Sequence, residues 1–451
     1  MRPLTAQWIA NAVGGQLAAD VDTQVTSVVK DTREVTAGSL YAAFVGERVD
    51  GHDFADAARE AGASLLLVSR PVDGPHILVD DVTRALGDMA RAYVAALRLE
   101  GELTVIGITG SNGKTTTKDI LAQVLPDAIA PVGSYNNEIG LPLTALKAGP
   151  QTRHLILEMG ASATGDISYL TSIAPLDIAV VLMVGSAHAA GYGSLEALTE
   201  EKATILDGVI PGGVGILNAD DARVAAMAGR APRTVTFGFG EADVSASGRR
   251  VEAGRAHFDV DDVHVALSLV GDHHASNGLA AYAVARECGL DARAAAAAVS
   301  AARPLSAHRM ALTVRSDGVK ILDDAYNASP ESMKAAFRAL RAVADDGVTW
   351  AVVGEMLEMG DASLNAHEEI GIDAVRLGID HLVVVGAGAR PAYVSAVREG
   401  SWGDEAAFVA TIDEARAFLA DRVAPGDTVL IKGSNGTGLW RLADDLTKEA
   451  R

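Results

Sequence analysis

The chain has one cysteine in 451 residues, Cys288. An internal disulfide and a thiolate zinc cluster are therefore excluded. Cys288 falls in the helix-like apolar stretch AAYAVARECGL and reads as a core filler. Long apolar runs are also missing. None approaches the roughly 18 residues that a membrane span needs. The stretch MRPLTAQWIANAVGG lacks the apolar segment of a signal peptide, so the cytoplasm is the expected location. Positive charge is scarce, with 38 Lys+Arg against 59 Asp+Glu and a net charge of −21. That balance argues against broad binding to nucleic acid or an anionic membrane. It leaves room for a nucleotide, which needs only a local positive site. Hydrophobic content of 49% and charged content of 22% describe a globular protein. The length implies about three domains of roughly 150 residues.

What is present centres on Ile106–Ile120, IGITGSNGKTTTKDI. An apolar run, Leu103 to Ile108, leads into Thr109-Gly110-Ser111-Asn112-Gly113-Lys114-Thr115-Thr116. A helix-compatible stretch follows from Thr117 to Leu125. Strand, glycine-rich turn, Lys-Thr and helix form the layout of a phosphate-binding loop. The ordinary nucleotide loop has a glycine five residues before its Gly-Lys pair. Here Ile108 holds that place and Gly107 comes one residue early, so the fit is to a shorter Gly-x-x-Gly-Lys-Thr-Thr loop. The alternative, a plain turn with a surface lysine, does not explain why strand, loop and helix signals agree.

The rest of the chain divides around this loop. Residues 1–101 alternate short strand-like runs with turns, and a helix from Arg84 to Leu97 closes the unit before the polar Glu100-Gly101-Glu102. Residues 102–306 offer strands at Thr104–Ile108, His154–Leu157, Asp177–Met183, Val214–Leu217 and Thr234–Phe237. The first four are apolar on both faces, the mark of a buried parallel sheet covered by helices. Val251 to Val270 looks antiparallel, and helices near Asn277–Cys288 and Ala292–Ala302 follow. Residues 307–451 give a second α/β sheet from Lys320–Leu322, Trp350–Val353, Leu382–Val385 and Thr428–Ile431. Gly386-x-Gly388 reads as a plain turn. The expected architecture is α/β in three domains: a small N-terminal unit, a central mostly parallel sheet of phosphate-loop type, and a Rossmann-like C-terminal unit.

Ligands of parallel sheets gather at the carboxyl ends of the strands. Lys114, Glu158, His188, Asn218 and Asp220 all fall there. Phosphoryl transfer needs anion cradling, a metal and positioning. Gly110, Asn112 and Gly113 supply the cradle, Lys114 reaches terminal phosphates, and the Thr115 hydroxyl suits Mg²⁺. Glu158 ends the apolar strand of LILEMGA and, beside the loop, reads as a metal ligand. His188 sits in a loop of small residues, which suggests close approach by something. Glu200-Glu201-Lys202 and His367 read, by sequence physics alone, as exposed helix faces.

Several motifs in register then bring a family into view. TGSNGKTTT, Tyr135-Asn136-Asn137-Glu138-Ile139-Gly140-Leu141-Pro142, Glu158-Met159-Gly160-Ala161, GSAHAAGYGS, LNADD, GDHHASNGLAA, DDAYNASPESM, VVGEMLEMG and KGSNG together resemble the Mur ligases. These are ATP-dependent amino-acid and peptide ligases of peptidoglycan precursor synthesis. Within the family, EMGA and DDAYNASPESM look like the members that join D-alanyl-D-alanine to UDP-N-acetylmuramoyl-tripeptide. The siblings that add the third residue carry an Asp-Asn-Pro-Arg run, and none occurs here.

The resemblance implies roles residue by residue. Asp31, Thr32, Arg33, Ser39, Leu40, Gly51 and His52 would lie near the UDP-sugar-peptide. Gly110 to Thr116, with Ser111 and Thr116 included, would hold ATP. Asn277 would lie at the adenine, Arg309 at a phosphate and Asp324 at the ribose. Thr115 and Glu158 resemble Mg²⁺ ligands, and His188 a ligand of a second Mg²⁺. Lys202 aligns with a lysine that related ligases carry as a carbamate, which turns a cation into a metal-ligating anion. Asn136 resembles a substrate-side contact and Asn137 a nucleotide- or substrate-side one, and Tyr326, Asn327 and Ser329 would face the dipeptide. Two places depart from the family pattern. Asn327-Ala328-Ser329-Pro330 stands for the usual Asn-x-Asn-Pro, and Asn435 for the arginine of Lys-Gly-Ser-Arg. ATP, two Mg²⁺ ions, small-molecule substrates and a monomer are expected. A sibling ligase with another acceptor, or a nucleotide-binding regulator or ATP hydrolase, are the competing readings.

Overall fold

The computed structural model describes residues 1–46, 49–185, 192–400, 403 and 405–448. Three α/β sheets account for most of its strands, and each lies within a separate stretch of chain. The central sheet has nine strands. Thr104–Thr109 sits inside it, between Leu176–Val181 and His154–Glu158, with parallel pairing on both sides. Alternate residues of these strands serve two cores. Val105, Leu155, Leu157, Ala179 and Val181 face one, and Ile106, Ile108, Ile156, Ile178 and Val180 face the other. Burial on both faces is why the runs read as continuously apolar rather than alternating. Gly107 is explained by packing: a Cβ there would come within 2.6 Å of the Leu176 side chain. It serves the sheet and not the loop.

Thr104–Thr109 is followed in sequence by its neighbours on one side, and later by Leu176–Val181, Val209–Asn218 and Thr234–Gly238 on the other. That change of direction opens the crevice in which such sheets bind ligands. The sheet continues through Val244–Glu252 into the antiparallel Arg255–Val260 and Val263–Val270. Val244–Glu252, VSASGRRVE, is too polar to signal a strand.

The N-terminal sheet has five strands, parallel except for its edge strand Gln16–Ala18. The expected closing helix is longer than its apolar pattern, Val82–Glu100, because Asp81 caps it by accepting the N–H groups of Thr83 and Arg84. It belongs to two units. Leu86, Met89, Tyr93 and Leu97 lie in one core that runs from the N-terminal sheet into the central one. The Tyr93 hydroxyl donates to Ala148 O at 2.7 Å, and Arg98 pairs with Asp177 at 2.7 Å.

The third sheet has six strands, parallel except for the antiparallel edge strand Ala311–Val314. The linker into it is held by the helix that follows the phosphate-type loop, Lys114–Val124. Asp119 accepts the Ser306 N–H at 2.9 Å, and Gln123 exchanges two hydrogen bonds with Arg303. No described helix is long and apolar enough to cross a membrane.

Candidate active site

The loop between Thr109 and Lys114 is shaped by two glycines. Gly110 has φ +153° and Gly113 has φ +89°, values that side chains rarely adopt. Gly113 stands just before the helix and offers it no side-chain cap. The first helical N–H groups are thus left for an anion. The Ser111 hydroxyl accepts the Gly185 N–H at 2.9 Å and ties the loop to the end of the neighbouring strand. Lys114 folds back, and its Nζ donates to Gly110 O at 2.5 Å. The surrounding protein strips water from this ammonium and lowers its pKa to about 8, with Glu158 opposing the shift and Arg309 adding to it.

A Cβ on Gly113 would lie 2.3 Å from Asn277 Oδ1. Gly113→Ala should therefore fold but bind ATP at least about 10-fold more weakly, by strain of order 1–3 kcal/mol in the loop. Calorimetry with a non-hydrolysable ATP analogue reads this directly.

Thr115 and Glu158 meet beside the loop. Thr115 Oγ1 donates to Glu158 Oε2 at 3.1 Å and lies 2.9 Å from Ser134 Oγ. Glu158 is completely buried, and its Oε1 has no hydrogen-bond partner among the described residues. Burial raises its pKa, while Lys118, Lys114 and Arg309 oppose. An orphaned carboxylate oxygen next to a hydroxyl is a donor set that suits a hard divalent cation such as Mg²⁺. Arg309 reaches over from the third unit. It donates to Ser134 Oγ at 3.0 Å and Thr115 Oγ1 at 3.3 Å, and lies 4.1 Å over the Tyr326 ring.

The exposed-face reading of Glu201 and Lys202 is overturned. Both are buried in the helix Leu195–Asp207. Glu201 accepts the N–H groups of Gly165 and Ile167, each at 2.8 Å, and so anchors the start of the Asp166–Ile173 helix. Lys202 lines a cavity together with Lys114, Asn136, Gly160 and Ser162. Burial, and then repulsion from Lys114, lowers its pKa to about 7, with Glu201 opposing. His367 is also buried: its Nε2 accepts the Met356 N–H at 2.9 Å. His188 lies outside the described residues.

On the other side of the loop, Asn112, Gly113, Thr116, Asn277, Asp324 and Arg309 share a cavity of about 270 Å³. Asn277 pairs with His274 at 3.1 Å, and His274 Nε2 is buried with no hydrogen-bond partner among the described residues. Both Asp324 oxygens already have protein donors, Lys432 Nζ at 2.5 Å and the Met310 N–H at 3.2 Å. Lys432 and His274 also line this cavity, and Ser134 lines that of Thr115 and Glu158; none of the three is assigned by the sequence motifs.

Asp31, Thr32, Arg33 and Gly51 line a larger cavity of about 550 Å³, shared with Tyr41 and Ile139. Three expected neighbours do not line it. Ser39 and Leu40 are interior strand residues. His52 is buried with Nδ1 on Asp50 at 2.6 Å and Nε2 accepting the Ser69 N–H at 2.9 Å. Asn136 packs on Gly160 and lines the cavities on both sides of Lys114. Asn137 lines the Lys202 cavity, and its Oδ1 accepts the Gly140 N–H at 2.9 Å. Tyr326, Asn327 and Ser329 line a further pocket with Ser434 and Asn435, and Ser329 also caps the helix Pro330–Val343.

Residues 24–94 match the model of the Mur ligase family catalytic domain, 108–285 that of the Mur ligase middle domain, and 308–435 that of the Mur ligase glutamate ligase domain. The UDP-N-acetylmuramoyl-tripeptide–D-alanyl-D-alanine ligase of Mycobacterium tuberculosis is 41% identical over 100% of this chain and 98% of its own. The Bacillus subtilis enzyme of the same name is 34% identical, with 98% of each chain covered. Among solved structures, MurF from Acinetobacter baumannii superposes with a TM-score of 0.87 at 29% identity over 99% of both chains. MurF from Thermotoga maritima, in complex with ADP, gives 0.81 at 31% identity over 94% of this chain and 98% of that one. The chain belongs to the Mur ligase family.

Proposed function

We propose that this chain joins D-alanyl-D-alanine to UDP-N-acetylmuramoyl-tripeptide at the expense of ATP, through an acyl phosphate. The observation that carries this reading is the placement of Lys114. It lines both the cavity of Thr115, Glu158 and Arg309 and the cavity of Lys202 and Asn136. One cation thus stands between a phosphate site and a substrate site. The relatives at 34–41% identity that share this activity by name support the choice of substrates.

A carboxylate does not react with an amine in water unless it is activated. In the proposed order, the loop from Gly110 to Thr116 holds the ATP phosphates. Asn277 and Asp324 border the nucleoside side. The tripeptide enters from the Asp31–Arg33 cavity, past Ile139 and Asn137, and presents its carboxylate between Lys114 and Lys202. Lys114 and Arg309 offset the repulsion between that carboxylate and the terminal phosphate. Thr115 and Glu158, with His188 and Lys202 toward a second ion, would hold Mg²⁺, which supplies further charge neutralisation when bound. The dipeptide amine then attacks from the side of Tyr326, Asn327 and Ser329, phosphate leaves and an amide forms. The third unit stands over the loop and helps keep water from the acyl phosphate. The proposed domains are residues 1–101, 102–306 and 307–451, in a cytoplasmic monomer.

Two experiments test this reading. Product analysis with ATP, UDP-N-acetylmuramoyl-tripeptide and a panel of acceptors should give amide with D-alanyl-D-alanine and not with single amino acids. Amide with a single amino acid instead would identify a sibling ligase. The second concerns Lys202. With a pKa near 7 its amine is substantially neutral at physiological pH, the form that adds CO₂ to give a carbamate and a proton. Lys202→Ala should lower kcat about 100-fold and recover partly with short-chain carboxylic acids. Labelled bicarbonate should give a carbamate signal in the native protein and not in the variant.

A further inference from the structure

Glu201 is a buried carboxylate that the reaction above does not use. It stands one residue before Lys202 on the helix Leu195–Asp207. Successive helical residues point about 100° apart, so the two side chains leave the helix in different directions. Lys202 meets the cavity that it shares with Lys114. Glu201 meets the neighbouring helix, Asp166–Ile173. That helix and the loop before it wall the same cavity, through Ala161, Ser162, Asp166 and Tyr169. The N-cap of Asp166–Ile173 is Gly165, with φ +95°, and it offers no side-chain cap. Glu201 supplies the cap from outside. Its Oε2 accepts the Gly165 N–H and its Oε1 the Ile167 N–H, each at 2.8 Å. Both oxygens of the carboxylate are committed to the start of the wall.

A cap alone does not need a second helix. Ser, Thr, Asp or Asn at position 165 would satisfy these N–H groups locally, without the cost of burying a charge far along the chain. Taking the cap from the helix of Lys202 does something a local cap cannot: it ties the two sides of the cavity together. The rest of the loop is tied as well. Asp166 Oδ2 accepts the Ser162 and Ala163 N–H groups at 2.8 Å each, and the hydroxyl of Tyr192, just before the helix of Lys202, donates to Ala163 O at 3.0 Å. The wall is therefore a wound, rigid loop, and Glu201 is its buried, charged link to the helix of Lys202. We propose that Glu201 is a positioning residue for the tripeptide. It fixes the gap between Lys202 and the wall at Ser162, and so the width of the cavity that receives the tripeptide's carboxylate. This rests on the ligase reading above and adds the residue that sets the fit of that substrate.

The test uses the full-length protein with ATP, UDP-N-acetylmuramoyl-tripeptide and D-alanyl-D-alanine. Native protein must first make the amide; if it does not, the ligase reading fails, whatever Glu201 does. Given that activity, Glu201→Gln keeps the size of the side chain but leaves one acceptor oxygen, with an NH₂ group turned toward the other backbone N–H. The helix start must then shift. The variant should raise KM for the tripeptide about 10–100-fold and leave KM for ATP unchanged. The two constants separate because none of residues 160–170 lines the cavities beside the phosphate loop. Glu201→Asp keeps the charge and both acceptor oxygens on a shorter side chain. It is the milder change, folds where the glutamine variant does not, and should show a smaller rise in the same constant. Each variant is assayed below its own melting temperature. An unchanged tripeptide KM in the variants that fold overturns the proposal even where the melting temperature drops, because a merely structural cap gives that result. An equal rise in KM for ATP also overturns it.

Discussion

Replacing Lys114 by alanine should lower kcat about 1000-fold while leaving the fold intact. The ammonium is held against Gly110 O in a loop whose shape depends on two glycines, so it is positioned before any ligand arrives. Among the described residues, no other cation lines both cavities. Arg309 cannot replace it, because its guanidinium is committed to Ser134, Thr115 and the Tyr326 ring on the phosphate side. Folding should respond in the opposite sense. Lys114 and Lys202 have folded pKa values of about 8 and about 7, below the ordinary lysine value of about 10.4. Between those limits the unfolded chain holds more protons than the folded one, so their contribution to stability increases as pH rises from 7 to 10. Lys114→Ala should flatten that rise and unfold no more easily than the native protein at pH 7. Steady-state kinetics and thermal unfolding across that pH range measure both effects.

Glu158→Gln should be nearly as damaging to activity, about 100- to 1000-fold in kcat, and should raise the Mg²⁺ concentration needed for half-maximal rate. The substitution keeps the shape of the side chain and removes the charge that a cation would need. Here too the free protein should gain. Glu158 is buried, its Oε1 has no hydrogen-bond partner among the described residues, and burial raises its pKa. A carboxyl with a raised folded pKa stabilises fully only below its unfolded value, about 4.3, and loses that contribution as pH rises through the folded value. Glu158→Gln should therefore be the more stable protein at neutral pH, by about 1–3 kcal/mol. The advantage should disappear as pH falls to the ordinary carboxylate range. Calorimetric unfolding in metal-free buffer tests this independently of turnover.

The parallel strands were legible because they are buried on both faces, and the loop was legible because its glycines and lysine sit between a strand and a helix. Val244–Glu252 was not, since an edge extension with exposed residues has no apolar pattern to show. Val209–Asn218 was read short, because Pro211-Gly212-Gly213 interrupts its apolar signal. Lys202 was misjudged for a different reason. Leu198, Glu201, Lys202, Ile205 and Leu206 follow the i, i+3, i+4, i+7, i+8 spacing of a buried stripe. The two charges were taken at face value although their positions put them inside. His367 repeats the case among Ala366, Ile370, Gly371 and Ala374. Charged or polar residues on such a stripe need partners, and here they anchor a helix start, fix the loop before Glu358, or face the site. The resemblance drew attention to Lys202, which lines a cavity with Lys114. It also pointed to Ser39, Leu40 and His52, which are buried in the strands and turns of the N-terminal unit.

The central claim is that phosphate transfer and amide formation occur in one linked reaction around Lys114. It is tested most directly by counting inorganic phosphate against amide product as each substrate is left out in turn. The expected result is one phosphate per amide with all three substrates present, and almost no sustained release without the tripeptide or without D-alanyl-D-alanine. Sustained phosphate release that ignores both the tripeptide and the dipeptide would contradict it, and would make the loop part of an ATP hydrolase.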